Sequence, residues 1–159
     1  RCYNNIIILR GISKFFAAPG LRLGYAVCGN RDLIKDVVSR QDPWSINTLA
    51  SIAGEIMFTD EDYIHQTRSL ISSERKRICE KLDEFKGLTY YPPKANFILL
   101  KILKEDVTAR DVFEAAIQKK LMIRDCSDFP FLDSRYFRFC IMMPEKNDEL
   151  LEVIKSLLG

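Results

Sequence analysis

The sequence has no long apolar run, no paired cysteine motif and almost no histidine. A membrane-spanning helix needs about 20 consecutive apolar residues, and no stretch of the chain approaches that length. The 5 cysteines include no C-x-x-C pair and His65 is the only histidine, so neither a zinc site nor a disulfide framework is expected. The first residues lack the layout of a secretory signal peptide. These absences favour a cytoplasmic protein with reduced thiols.

An excess of charge of one sign is also lacking. The chain holds 24 Lys and Arg against 22 Asp and Glu, a formal charge of +2. Binding to nucleic acid or to an anionic membrane depends on a dense positive surface, so we expect neither as a partner. Any cation with a function must therefore act as an individual residue. At 159 residues the chain is long enough for its own apolar core.

Two strand patterns open the chain. Asn5 to Arg10 is a continuous β-branched run, which is typical of a strand buried on both faces of a parallel sheet. A second strand is predicted over Arg22–Cys28. Because two such strands cannot cover their own faces, we expect residues 1 to about 30 to belong to a larger sheet. The chain begins with Arg1 rather than methionine, so we expect it to be part of a longer protein.

Helical spacing dominates the middle of the chain. Helices are predicted over Asp32–Val38, over Thr48–Phe58 with Asn47 as N-cap, and from Asp60 to a C-cap at Gly87. The remainder alternates as a small α/β layer, with strands over 88–91, 95–101, 121–124 and 136–142 and helices over 109–120 and 145–158. The last strand carries a charged Arg138 between aromatic residues, which would be costly to bury without an anionic partner.

The most informative run is residues 11–24, GISKFFAAPGLRLG, where a lysine leaves one strand and an arginine enters the next. The run is similar, position for position, to the pyridoxal-phosphate (PLP) lysine motif of class I and II aminotransferases, which belong to the fold-type I PLP superfamily. The matching positions are Gly11, Ser13, Lys14, Gly20, Arg22 and Gly24. The alternative is a surface loop whose lysine and arginine are merely solvated.

The resemblance implies that Lys14 carries PLP and that Ser13 and Arg22 bind the cofactor phosphate. Arginine suits a phosphate because its planar guanidinium pairs with two oxygens at once. Gly20 and Gly24 would allow close approach of the backbone. A lysine amine bonds to an aldehyde only when it is neutral, so burial and a nearby cation, which depress the pKa of a lysine, would suit Lys14.

A second pair of candidates follows near the C-terminus. Arg138 resembles the arginine with which the superfamily binds the substrate carboxylate, and Arg124 resembles its companion in enzymes acting on phosphorylated amino acids. Bidentate pairing favours arginine over lysine in both roles. The alternative is structural: Arg124 would pair with Asp125 or Asp128, and Arg138 with a carboxylate of the last helix.

Two asparagines complete the predicted site. The resemblance suggests that Asn96 forms hydrogen bonds near the active site and that Asn47, with Trp44, lines its entrance from the partner subunit. Ordinary helix capping and packing explain these residues equally well. His65 and the cysteines have no nucleophile motif around them, so no role in catalysis is expected for them.

Finer similarity lies in residues 42–47, 94–97 and 123–136, which resemble the threonine-phosphate decarboxylases of cobalamin synthesis, close relatives of histidinol-phosphate aminotransferases. The resemblance implies an α/β fold that is the C-terminal part of a PLP transferase. Residues 1–42 would end the large PLP-binding domain, 43–86 would form a linker and long interdomain helix, and 87–159 the small C-terminal α/β domain. It also implies a homodimer and a phosphorylated amino acid as substrate, with decarboxylation or transamination as the reaction.

Several parts of the superfamily's active site precede its lysine and have no counterpart in these 159 residues. They are the glycine-rich phosphate turn, the aromatic residue stacked on the cofactor ring and the aspartate that pairs with its nitrogen. The resemblance therefore implies that the chain by itself is inactive. A hypothesis of another class is a non-catalytic α/β interaction domain that descends from such an enzyme.

Overall fold

The computed structural model describes residues 3–159, which divide into two compact units between Thr67 and Arg68. The first unit contains β1 Ile7–Gly11, α1 Ile12–Phe15, β2 Gly24–Cys28, α2 Arg31–Ser39, α3 Thr48–Thr59 and the start of α4 Glu61–Leu82. The second contains the rest of α4, β3 Leu88–Tyr90, β4 Phe97–Ile102, α5 Ala109–Gln118, β5 Arg124–Asp125, β6 Tyr136–Cys140 and α6 Pro144–Leu158. The predicted α/β class is confirmed, while the predicted division into three parts stays a prediction. No helix within residues 3–159 combines the length and the apolar character that a membrane span requires.

The first unit contains a two-stranded antiparallel hairpin. β1 pairs with β2 from Ile7 opposite Cys28 to Gly11 opposite Gly24. The two strands run in opposite directions, rather than parallel as the pattern suggested. Their side chains are exposed, Leu9 by 77%, as expected of two strands that cannot cover their own faces, and their burial in a larger sheet stays a prediction. β-branched composition favours an extended backbone whatever covers it, so the pattern indicated the strand but not its surroundings.

Left-handed backbone shapes the connection between these strands. Arg22, predicted to begin the second strand, instead has φ 53° and ψ 43° at the end of a 3-10 turn over Pro19–Leu21, so β2 begins only at Gly24. Ala17 also has a positive φ of 50°. A side chain disfavours this conformation, so the loop bends at two positions where glycine would be less strained.

The apolar core lies in the second unit. Its four-stranded antiparallel sheet has the order β3-β4-β6-β5. Alternate residues of β4 point to opposite faces: Ile98, Leu100 and Ile102 are buried and the residues between them are half-buried. The buried face joins apolar residues of α4, α5 and α6 in one core cluster. The other face of the sheet carries Arg138.

The predicted end of the long helix was wrong. Helix α4 ends at Leu82, and the Gly87 amide donates to the Leu158 carbonyl oxygen at 3.0 Å. A Cβ at position 87 would lie 2.5 Å from that oxygen, so this glycine permits a close approach of two backbones rather than capping a helix. The strand predicted over 121–124 is also shorter than expected and comprises only Arg124–Asp125.

Candidate active site

The lysine loop, residues 12–23, connects the two strands of the hairpin, which lie close together where the loop begins and ends. Gly11 and Gly24 are paired across the strands, and a Cβ on Gly24 would lie 2.7 Å from the Arg10 carbonyl oxygen. Only glycine fits that position without a shift. Gly20, in contrast, has no atom within 4 Å of an added Cβ. The expected close approach therefore occurs at Gly24, against the neighbouring strand, and the described residues provide none at Gly20.

Lys14 lies on the one-turn helix α1, which is held by a buried anchor and an aromatic cluster. Ile12 is 2% exposed, and its amide donates to the Leu23 carbonyl oxygen at 3.2 Å. The ring of Phe16 stacks on Tyr63 at 5.5 Å, and the Tyr63 hydroxyl donates to the Phe15 carbonyl oxygen at 2.9 Å. These contacts fix the short helix from both ends. The sequence analysis missed Tyr63, because helical periodicity marked it only as an apolar position.

The environment of Lys14 differs from the expected one. The side chain is exposed, so the burial that would favour a neutral amine is not supplied by this chain. Neither Lys14 nor Arg22 forms an ion pair with any residue in the described range. The only hydrogen bond of the Arg22 guanidinium within that range goes to the Pro19 carbonyl oxygen at 3.4 Å. Together with the half-buried Ser13, the loop offers two cations and a hydroxyl, a donor set that fits an anionic aldehyde such as PLP.

Asn47 joins the lysine loop to helix α3. Its Oδ1 accepts from the Ala50 amide at 2.8 Å, which confirms the predicted N-cap, and its Nδ2 donates to the Leu21 carbonyl oxygen at 3.2 Å. The side chain therefore holds the loop one residue before Arg22. Trp44 is 88% exposed. The predicted role of both residues at an entrance stays a prediction.

The two candidate substrate arginines lie together in the second unit. Arg124 and Arg138 are cross-strand partners on β5 and β6. Their guanidinium carbons lie 5.5 Å and 5.7 Å from the centre of the Phe129 ring, and that of Arg138 lies 5.0 Å from the Phe97 ring. Cations are attracted to the faces of aromatic rings at such distances. The loop and the sheet thus gather two guanidinium groups around Phe129.

The two arginines differ in their ion pairs. Arg124 pairs with Asp128 at 2.5 Å, one of the two structural partners considered for it. Arg138 forms no ion pair with any residue from 3 to 159, so the structural alternative, a carboxylate partner from the last helix, does not occur among these residues. The rings of Phe97 and Phe129 lie beside its guanidinium and partly offset its charge. Because Arg138 is only half-buried, the guanidinium also keeps contact with solvent.

Asn96 and the cysteines contribute less to the geometry. The Asn96 carbonyl oxygen accepts from the Ile141 amide at 2.9 Å, while its side chain is exposed. Burial raises the pKa of the Cys126 thiol, in agreement with the expectation that this residue is no nucleophile. No group of His, Cys, Asp and Glu side chains within the described part of the chain could hold a metal ion.

A buried polar cluster that the sequence analysis missed holds the end of β6. Asn147 Oδ1 accepts from the Met142 amide at 2.9 Å, and its Nδ2 donates to the Met142 carbonyl oxygen at 2.8 Å and to Glu74 Oε2 at 2.7 Å. The Arg77 guanidinium donates to both oxygens of Glu74, at 2.9 Å and 2.8 Å. These bonds from Arg77 hold the pKa of the Glu74 carboxyl below its usual range, against the opposing effect of burial. Helix α4 is thereby fixed to the strand that carries Arg138.

The candidate residues thus form two groups. Ser13, Lys14, Arg22 and Asn47 lie in the first unit, and Asn96, Arg124 and Arg138 lie in the second. That both groups serve one active site stays a prediction.

Comparisons with known proteins give the family. The sequence model of the family described as aminotransferase class I and II matches residues 2–154. The chain is 36% identical to the threonine-phosphate decarboxylase of Salmonella typhimurium over 97% of its own length and 42% of that protein. It is also 36% identical to histidinol-phosphate aminotransferase 2 of Archaeoglobus fulgidus, over 99% of this chain and 44% of that one.

A solved structure supports the same conclusion. The histidinol-phosphate aminotransferase of Clostridium acetobutylicum matches 98% of this chain with a TM-score of 0.88 and 31% identity, and the match covers 46% of that protein. The chain therefore spans less than half the length of the relatives it matches. Because the family model covers nearly the whole chain, the chain belongs to the class I and II aminotransferase family.

Proposed function

We propose that the natural protein containing this chain is a PLP-dependent enzyme acting on a phosphorylated amino acid, and that it is an L-threonine O-3-phosphate decarboxylase of cobalamin biosynthesis. The observation that carries the proposal is the lysine loop, where Lys14 and Arg22 lie on one short connection without any carboxylate partner in the described residues. Neither cation has a carboxylate counter-ion among those residues, so both are available to an anionic ligand. A phosphate-bearing aldehyde is a ligand of that kind.

In this proposal each residue of the loop has one task. Arg22 and Ser13 would hold the cofactor phosphate, and Lys14 would hold the cofactor through its Nζ. When bound, the cofactor supplies a conjugated ring that takes up the electrons of a bond broken at the substrate α-carbon. Lys14 would also move a proton at its Nζ. It donates the proton to the α-carbon in a decarboxylation and removes the α-hydrogen in a transamination.

The substrate is assigned to the arginines of the second unit. Arg138, which has no ion pair among the described residues, binds the carboxylate, and Arg124 binds the phosphate. Fixing both anionic groups orients the bonds at the α-carbon and so selects which of them breaks. Asn96, one residue before Phe97 of the same sheet, and Asn47 are proposed as further contacts with the substrate. The similarity to a protein named threonine-phosphate decarboxylase supports this substrate.

Transamination of histidinol phosphate or another amino acid is the second candidate. It is favoured by the match to a histidinol-phosphate aminotransferase structure with a TM-score of 0.88. Both candidates share Lys14 and both arginines, so only the product separates them. The natural protein supplied with PLP and threonine phosphate would release carbon dioxide in the first case. In the second case it would form a keto product from its amino substrate and an amino acid from an added keto acid.

A cytoplasmic homodimer completes the proposal. Helix α3 is apolar on an exposed stripe formed by Leu49, Ile52 and Ile56, which recur at helical spacing. An exposed apolar stripe of this kind is typical of an association surface. Sedimentation of the natural protein tests the point: Ile52→Lys should reduce the dimer fraction, and Lys35→Ala on α2 should leave it unchanged. A monomeric natural protein would refute the dimer.

Trapping of the cofactor tests the central assignment. The natural protein is incubated with PLP and reduced with borohydride, and its peptides are mapped by mass spectrometry. We expect the added mass on the peptide containing Lys14, and its loss in Lys14→Ala. Lys35→Ala is the matched control, because Lys35 is an exposed lysine whose ion pair within residues 3–159 is with Asp32 at 3.7 Å. Attachment at another lysine, or none, would contradict the enzyme proposal and leave a non-catalytic interaction domain as the explanation.

A further inference from the structure

The pair of arginines around Phe129 is neutralised on one side only. Asp128 pairs with Arg124, whereas Arg138 has only aromatic neighbours among the described residues that compensate its charge. Asp128 lies in the connection between β5 and β6, four residues after the arginine that it pairs with. The chain therefore brings its own carboxylate to one of the two cations proposed to bind substrate.

The charges explain what this carboxylate does. Arg124 and Arg138 are neighbours across two strands, so their like charges repel. With Asp128 in place the three groups carry a net charge of about +1, which suits a ligand with a single carboxylate at Arg138. A ligand with a carboxylate and a phosphate monoester carries about −2.5 to −3 at neutral pH. The positive charge of the two arginines matches such a ligand only when Arg124 is not paired with Asp128.

The ion pair is easily opened. The side chains of Arg124 and Asp128 are 52% and 64% exposed. Exposed pairs of this kind shift an equilibrium constant by about fivefold at most. A phosphate offers Arg124 more charge and more acceptor oxygens than a carboxylate does. Phosphate can therefore replace Asp128, while a carboxylate from solution gains nothing by the exchange.

We propose that Asp128 is a displaceable counter-ion of Arg124 that weakens the binding of singly charged ligands to this arginine by up to about fivefold and yields to a phosphate group. It is a specificity-determining residue, and this role rests on the proposed function for the substrate class. The residue acts by competition: its carboxylate occupies Arg124 in the free protein and swings into solvent when the phosphate binds.

The test is a titration of the 159-residue chain followed by the NMR signals of the arginine side chains. Inorganic phosphate and acetate are added separately to the unaltered chain, to Asp128→Asn and to Asp125→Asn. Asp125→Asn is the matched control, because it changes the formal charge equally while Asp125 accepts from the Ser127 amide at 2.8 Å and forms no ion pair with any described residue. Asp128→Ser is a second variant in case the first does not fold.

In the unaltered chain phosphate should shift the Arg124 signal, and acetate should shift the Arg138 signal at lower concentration than that of Arg124. Removing the Asp128 carboxylate should tighten phosphate binding about two- to fivefold and let acetate shift Arg124 at a two- to fivefold lower concentration. Equal effects of the Asp125 and Asp128 variants, no effect of the Asp128 variants, or no response of Arg124 to phosphate would each overturn the proposal.

The outcome is separable from that of the proposed function. If the Asp128 variants behave as expected but the natural protein forms neither carbon dioxide nor a keto product, the counter-ion role stands and the enzyme proposal fails. If turnover is found and the titration shows no competition, the enzyme proposal stands and the counter-ion role of Asp128 fails.

Discussion

Replacing Asn147 with alanine removes the amide that joins helix α4 to the end of strand β6. The side chain is 1% exposed and forms hydrogen bonds to both backbone groups of Met142 and to Glu74. Neutral hydrogen bonds contribute about 1 kcal/mol each and a bond to a charged group about 1.5–3 kcal/mol. The sum predicts that Asn147→Ala lowers the free energy of unfolding by about 3.5–5 kcal/mol, a large share of the ~5–15 kcal/mol typical of a domain.

The assay must report on the second unit. The single tryptophan, Trp44, is exposed and lies in the first unit, so its fluorescence would miss the transition. Amide hydrogen exchange of buried residues on β4, such as Ile98 and Leu100, measures opening of the sheet directly. Exchange of these amides should accelerate by about three orders of magnitude in Asn147→Ala, since about 1.4 kcal/mol corresponds to one factor of ten.

Asn96→Ala is the control for this prediction, because it removes an exposed amide side chain from the same unit. It should change the free energy of unfolding by less than about 0.5 kcal/mol. A loss below about 1 kcal/mol in Asn147→Ala would refute the reasoning, since it would mean that water or a rearranged side chain satisfies the groups left behind.

Three further predictions concern stability. Gly24→Ala should destabilise the hairpin, because the added Cβ would lie 2.7 Å from the Arg10 carbonyl oxygen, whereas Gly20→Ala, with open space around it, should be tolerated in the same thermal melt. Ala17→Gly should stabilise the lysine loop by about 0.5–1 kcal/mol in urea titrations, because φ is 50° there; a loss of stability would contradict this. Glu74→Gln should flatten the dependence of stability on pH: the lowered pKa of the Glu74 carboxyl means that the unfolded chain binds more protons, so its contribution is present above the ordinary value of 4.5 and is lost as pH falls below that value through the lowered pKa. An equally steep acid transition in the variant would be the contrary result.

The order of elements was readable from local patterns. Periodicity placed the helices over 31–39, 48–59 and 144–158 within a residue or two of their bounds, because an amphipathic stripe and a capping residue such as Asn47 act over one or two turns. Ends set by distant contacts were missed. Gly87 looks like a helix cap in the sequence, but its backbone meets Leu158, which is 71 residues away.

The site shows the same division. The resemblance of residues 11–24 to the PLP lysine motif selected Lys14, Ser13 and Arg22 as candidates, because the motif is local to one loop, and their roles stay predictions. Which arginine keeps a free charge could not be read from the sequence. Arg124 and Arg138 both lie near carboxylates along the chain, and only the pairing of β5 with β6 shows that one binds Asp128 while the other meets two aromatic rings.

By itself, then, the sequence determined the α/β class, the family motif and the helical periods, because each depends on neighbours a few residues apart. Tertiary structure alone decided the antiparallel hairpin with its exposed faces, the buried cluster of Glu74 and Asn147, and the unequal charges of the two arginines. Those features depend on groups far apart in the chain, and the free energy of a buried amide or a paired cation is set by what packs against it.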